Sequence, residues 1–181
     1  MSKANNIHVM VDIETLGTEN DASILSIGAC EFDMNSMDGG IGRTFEVNIK
    51  PDGRVIDPKT VRWWLQQSKE AQNKLFKPEP IDQKDARREF LNFVRSTMSK
   101  NIWANGASFD LCILNDWYGG HPPWRYSEER CMRSFRWLGY QLGVSYNDFF
   151  KSESVQHGAL DDAIRQAKYV IAVYNKARGN G

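Results

Sequence analysis

The sequence predicts a β-sheet with helices on its faces, an α/β or α+β arrangement, from two observations. Three strand-like segments come first, and a shorter strand then alternates with helical patterns. In IHVMVDIETLG, Ile7, Val9 and Val11 are β-branched and bounded by polar residues, the pattern of a buried strand. Ala22 to Phe32 (ASILSIGACEF) reads as a second strand and Thr44 to Ile49 (TFEVNI) as a third, with Gly39, Gly40 and Gly42 as their turn, so the three form a meander. In DPKTVRWWLQQS, Asp57 caps a helix that opens at Pro58. Gln83 to Met98 is amphipathic, with Phe90, Leu91, Phe93, Val94 and Met98 as its apolar stripe. Ile102 to Ala104 is a short strand running into NGASFD, and Phe109 to Trp117 is helical. The arginine-rich stretch from Arg130 to Leu138 is ambiguous, and Gly158 to Lys176 forms the closing helix.

A length of 181 residues suits one domain spanning 1–181, with no internal repeat and no low-complexity segment. Lysine plus arginine and aspartate plus glutamate both number 23, so no global field directs the chain to nucleic acid or an anionic membrane, and local arrangement decides. The three cysteines, Cys30, Cys112 and Cys131, have no CxxC spacing, which indicates neither a disulfide framework nor a thiolate zinc site. MSKANNIHVM lacks the apolar core of a signal peptide, and no apolar run approaches the ~20 residues of a membrane span. The expectation is a soluble, cytoplasmic protein with no membrane partner.

Residues spaced by two on a strand share a face, so Asp12 and Glu14 stand side by side, where like charges raise each other's pKa or recruit a cation. Asp110 follows a strand and a glycine-containing turn, and His157, Asp161 and Asp162 open the last helix. Taken singly, each has a commoner explanation: DxE as a solvated edge, Asp110 as a helix cap, His157 as a surface residue. Brought together, four carboxylates repel unless divalent cations neutralise them, and oxygen-preferring Mg²⁺ or Mn²⁺ suits such a set. Two such ions ~3.5 to 4 Å apart activate water and stabilise the leaving oxygen of an in-line phosphoryl displacement. A histidine beside them is suited to take the proton of the attacking water.

DIETLG, then SFD followed by a helix, then HGALDDA resemble the three motifs of the DEDDh 3′-to-5′ exonucleases, the superfamily of the proofreading subunit of bacterial DNA polymerase III and ribonuclease T. TVRWWLQQSKEA resembles more narrowly the phage exonuclease A and mycobacterial 3′-to-5′ exoribonuclease-like family. The resemblance implies a ribonuclease H-like fold: a mixed five-stranded sheet, its second strand antiparallel to the rest, flanked by helices. It also implies that Asp12, Glu14, Asp110 and Asp162 hold two Mg²⁺ or Mn²⁺ ions, with His157 as general base. Thr15, through its amide, and Leu16, as a wedge against the terminal base, would bind substrate. The implied activity is removal of nucleoside monophosphates from the 3′ end of single-stranded DNA or RNA, and some relatives work as homodimers. Two positions depart from the pattern. Gly106 stands where many relatives have asparagine, with Asn105 one residue earlier, and Cys131 stands where the narrower family has aspartate.

Between Asp161 and Asp162, helix geometry and the family spacing both select Asp162. Asp162 borders the stripe of Ala159, Ala163, Gln166, Ala167, Val170 and Tyr174, whereas Asp161 shares a face with Arg165 and Lys168 that reads as solvated. Trp63 and Trp64, ~100° apart on a helix, cannot both face the core, which leaves one able to stack on a base. Arg125, Arg130, Arg133 and Arg136 give a local positive density suited to phosphates or to a solvated helix face, and His8 and His121 show no partner. Two other functions compete. An aspartyl-nucleophile phosphatase would want aspartate at position 14 and has no use for the late histidine and aspartate. A catalytically silent nucleic-acid-binding module should have lost at least one of the five site residues.

Overall fold

The computed structural model describes residues 6–37, 39–51, 53–97, 101–150 and 157–179. β1 (Ile7–Thr15) lies at the centre of a five-stranded sheet in the order β3-β2-β1-β4-β5. β2 (Ile24–Asp33) pairs antiparallel with β1 and with β3 (Ile41–Asn48), which is the expected meander. β4 (Ile102–Ala104) runs parallel to β1, and β5 (Glu129–Cys131) parallel to β4. The sheet is therefore mixed, with β2 alone reversed, as the resemblance implied. Ala22 and Ile49, expected inside strands, instead make single bridges to Val55 and Ile81, and Gly42 falls within β3 rather than in its turn.

α1 (Pro58–Leu65) begins where expected, its cap Asp57 accepting the Lys59 amide at 2.9 Å. α2 (Lys69–Phe76) was not anticipated, since KEAQNKLF turns only Ala71 and Leu75 inward. α3 (Gln83–Ser96) and α4 (Asp110–Trp117) follow the expected spans; Met98, placed on the stripe of α3, lies outside the described residues. The ambiguous arginine-rich stretch is β5 passing straight into α5 (Met132–Gln141), and α6 (Ala159–Ala177) closes the chain. Among the described residues no helix is long and apolar enough to cross a membrane.

Strand periodicity divides the core between the two faces of the sheet. Val9, Val11 and Ile13 join Phe90 and Phe93 of α3 and Ile113, Leu114 and Trp117 of α4 on one face. Met10, Cys30 and Phe32 join Met132 of α5 and Ala163, Ala167 and Val170 of α6 on the other. Asp12 and Glu14 have the parity of Met10, so they continue the α6 face toward the end of β1.

His8 shares that parity and does have partners. It is 6% exposed, its Nδ1 accepts the Trp103 indole N–H at 3.0 Å, and its ring stacks on Phe32 at 5.4 Å. Burial first, and the charge of Arg130 second, lower its pKa to about 4. The folded state then refuses a proton that the unfolded chain accepts, so this contribution is intact above pH 6.5 and is lost as pH falls toward 4. The loss amounts to up to about 3 kcal/mol. His8→Phe should lower stability near neutral pH, because Trp103 loses its acceptor, yet flatten the fall in denaturant midpoint between pH 7 and 4.5. An equally steep fall in the variant would assign the acid sensitivity to other groups.

Candidate active site

Asp12 sits directly across from Gly28 in the pairing of β1 with β2, on the face that α6 covers. A β-carbon at Gly28 would stand 2.0 Å from the Leu160 amide nitrogen and 2.1 Å from the Ala159 carbonyl carbon. The absent side chain lets the first turn of α6 rest on the backbone of β2. That contact carries Asp162 and the preceding His157 to the end of β1. Asp110 arrives from the other side as the first residue of α4. It makes no helix-capping bond; its Oδ1 accepts the Ile13 amide of β1 at 3.3 Å. One ligand atom each of Glu14, His157 and Asp162 lie within 4.8 Å of one another, and Asp12 and Asp110 line the same cavity of about 410 Å³. All five residues singled out in the sequence thus share one cleft.

Burial is the leading influence on these acids. It raises Asp12, to which the charge of Asp110 adds, and Glu14, to which Asp12 and Asp110 add. Asp110 is pushed to about 7 by burial, against the Ile13 amide and its own, which favour the carboxylate. Gln166 partly offsets the cost, its side-chain amide donating to Asp12 Oδ1 at 2.7 Å. Arg165 pairs with Asp162 and lies over the Phe150 ring at 4.6 Å. This corrects the expected solvated row: Arg165 is only 5% exposed, because the segment Tyr146–Phe150 folds over it. Asp161 leaves the cleft and pairs with Lys74 of α2. The carboxylate oxygens form a hard donor set, and cations there would offset the repulsion that raises the acids, so the residues fit divalent Mg²⁺ or Mn²⁺.

His157 has φ 64°, the one non-glycine residue with positive φ among those described, in a region histidine tolerates better than most. Its ring meets Trp63 edge-on at 4.9 Å and Trp64 at 6.0 Å. Burial, and then the charge of Arg165, lower its pKa, which favours the neutral imidazole. The tryptophans divide as anticipated: Trp64 is 2% exposed and donates its indole N–H to the Thr15 carbonyl at 2.9 Å, while Trp63 is 41% exposed. Trp63, Glu14, Thr15 and Phe109 line a second cavity of about 710 Å³ that adjoins the first. Leu16 lines neither; its side chain packs with Leu25, Trp64 and Leu75.

Three residues of the site went unnoticed in the sequence: Gly28, Gln166 and Arg165. Gln166 left a trace as the one polar member of an apolar stripe, whereas Gly28 in LSIGACEF carried no signal of a helix resting on it. Gly28→Ala should cost about 3 kcal/mol or more of stability, measured by denaturant unfolding, because its new methyl meets rigid backbone. A loss below ~0.5 kcal/mol would mean that α6 can stand off from the sheet at no cost.

The same fold occurs in Exonuclease X in complex with 5′ overhanging duplex DNA, at 21% identity and a TM-score of 0.60 over 94% of this chain and 93% of that one. It occurs in the nuclease domain of 3′hExo, a DEDDh family member, bound to rAMP, at 13% identity and a TM-score of 0.59 over 99% and 96%. S. pombe Pop2p in its Mg²⁺ and Mn²⁺ bound form gives 14% identity and a TM-score of 0.61 over 96% and 85%. These likenesses show the fold, a ribonuclease H-like mixed sheet flanked by helices. Residues 7–174 match the Rv2179c-like 3′-5′ exoribonuclease domain, and the chain belongs to that family. An exodeoxyribonuclease of Enterobacteria phage T4 is 25% identical over 121 residues, 59% of this chain; the chain spans about half, 53%, of that relative's length.

Proposed function

We propose that the chain is a metal-dependent 3′-to-5′ exonuclease that releases nucleoside monophosphates from the 3′ end of single-stranded DNA or RNA, with one domain, 1–181, carrying the whole site. The observation that carries this reading is the meeting of Glu14, His157 and Asp162 within 4.8 Å in a cleft that Asp12 and Asp110 also line. In this reading Asp12, Glu14, Asp110 and Asp162 hold two divalent ions. When bound, those ions supply Lewis-acid activation of water and neutralisation of the phosphate charge. His157, its neutral form favoured by burial, takes the proton of the attacking water at its free ring nitrogen, and the edges of Trp63 and Trp64 hold the ring in place. The cavity beside Thr15 and Trp63 receives the terminal nucleoside, with Leu16 backing that wall through Trp64.

With 5′-labelled single strands, degradation should vanish in EDTA, return with Mn²⁺ or Mg²⁺, and stop at a 3′-phosphate but not at a 5′ block. Full hydrolysis in chelator would remove the metal from the mechanism, and absence of turnover with either ion would favour the silent binding module. His157→Ala should lower kcat by roughly 10² to 10⁴ while calorimetric Mn²⁺ binding persists. Asp162→Asn should abolish hydrolysis in a folded protein. Asp161→Asn, which removes only the pair with Lys74, should keep most activity. The reverse pattern would place the wrong aspartate in the cleft.

A further inference from the structure

The solvent side of α5 carries two large exposed aromatics beside two arginines. Met132 and Gly139 are buried, and Phe135 and Leu138 pack into the core on the α6 side of the sheet. At ~100° per residue, Arg133, Arg136, Trp137 and Tyr140 fall within an arc of roughly 100° on the opposite side. Trp137 is 69% exposed and Tyr140 81%, a large aromatic surface that the described residues leave uncovered. Arg133 and Arg136 line the same cavity as the acidic residues. Arg133 gets there because Gly106, at φ 138°, has no side chain: a β-carbon on it would stand 3.0 Å from the guanidinium. Arg136 lies over the Tyr146 ring at 4.4 Å.

We propose that this face of α5 is the platform for the single-stranded body of the substrate, 5′ of the scissile linkage, an inference that rests on the exonuclease reading of the cleft. The two arginines are placed for the backbone phosphates leaving the cleft, and Trp137 and Tyr140 for stacking on the bases that follow. Single-strand binders combine these elements, a cationic track with aromatic faces. Arg133 to Tyr140 spans about 10 Å along the helix, room for roughly three stacked nucleotides at ~3.4 Å each. Continuity with the cleft and the sign of the charge favour a nucleic acid over a second copy of the chain. A two-fold contact through this face would set the same cationic patch on both sides, and α5 has no acidic residue to pair with it.

The test compares the wild type with the double variant Trp137→Ala/Tyr140→Ala, both residues lying on the exposed face. Fluorescence anisotropy with 5′-fluorescein 12-mers of single-stranded DNA and RNA, in EDTA so that nothing is cut, should show binding weakened roughly tenfold or more. Turnover of the p-nitrophenyl ester of thymidine 5′-monophosphate with Mn²⁺, a substrate with no upstream nucleotide, should stay unchanged. Unaltered 12-mer binding would overturn the proposal, as would a parallel loss of ester turnover. A wild-type dimer that the double variant converts to monomer in sedimentation equilibrium would also overturn it, by making the face a self-interface. Failure of the wild type to cleave the ester or any oligonucleotide would refute the exonuclease reading instead, and the anisotropy comparison would still decide what α5 binds.

Discussion

The first turn of α6 lies against the backbone of β2 at Gly28, and the arrangement of the cleft depends on that contact. A helix resting on side chains would sit ~10 Å from the sheet. With nothing at Gly28 to hold it off, the start of α6 reaches the strand that carries Asp12 and Glu14. The result is several carboxyl groups drawn from distant parts of the chain into a half-dry space, which burial and mutual repulsion make unfavourable. The protein meets that cost from both sides. The bulk of the sheet's two apolar cores holds the elements in place, while Gln166 on Asp12, Arg165 on Asp162 and the Ile13 amide on Asp110 each relieve part of the local repulsion.

β1 shows how a single strand serves both purposes. Its Val9, Val11 and Ile13 stay in the core throughout, whereas its other face passes from His8 and Met10, packed inside, to Asp12 and Glu14, which line the cleft. A slip of one residue in the pairing of β1 with β2 would carry the acids into the core beneath α3 and α4. The apolar face therefore specifies the register, and the register aims the acids. His157 is placed by a different device. It precedes α6 and takes left-handed backbone, so its ring is not bound to the helical period and turns instead toward the edges of Trp63 and Trp64.

Most of the sheet was legible from strong local signals, period-two hydrophobicity and a proline opening a helix, whereas the five residues of the cleft, each weak alone, were picked out by their joint order and by the motif resemblance. What escaped depends on contacts between segments far apart in the chain. α2 has only two buried residues in eight, too faint a stripe to announce a helix. β5 is three residues long and is a strand only because β4 lies beside it. Arg165 has the spacing of a solvated residue; it is buried because Phe150, fifteen positions earlier, folds over it. His8 bonds the nearby Asn6 at 3.1 Å through Nε2, but the indole that occupies its Nδ1, Trp103, is 95 residues away. Gly28 belongs to the same class, since the helix that needs its missing side chain begins 131 residues later, from position 28 to position 159.

In a chain of zero net charge, strong local fields need charges gathered by position, and here one cleft holds both acids and arginines. Glu14 and Asp162 crowd together with His157, where only bound cations would make a phosphate welcome. Arg133 and Arg136 line the same cleft without any need for metal. On the exonuclease reading, a strand entering such a field would be repelled by the acids and attracted by the arginines of α5. Arg165 stands between the two regimes. Paired with Asp162 and capped by Phe150, it belongs to the framework of the site, which leaves the exposed arginines of α5 to meet the solvent-borne phosphates. The neutral total is thus a balance between acids and arginines that line one cavity.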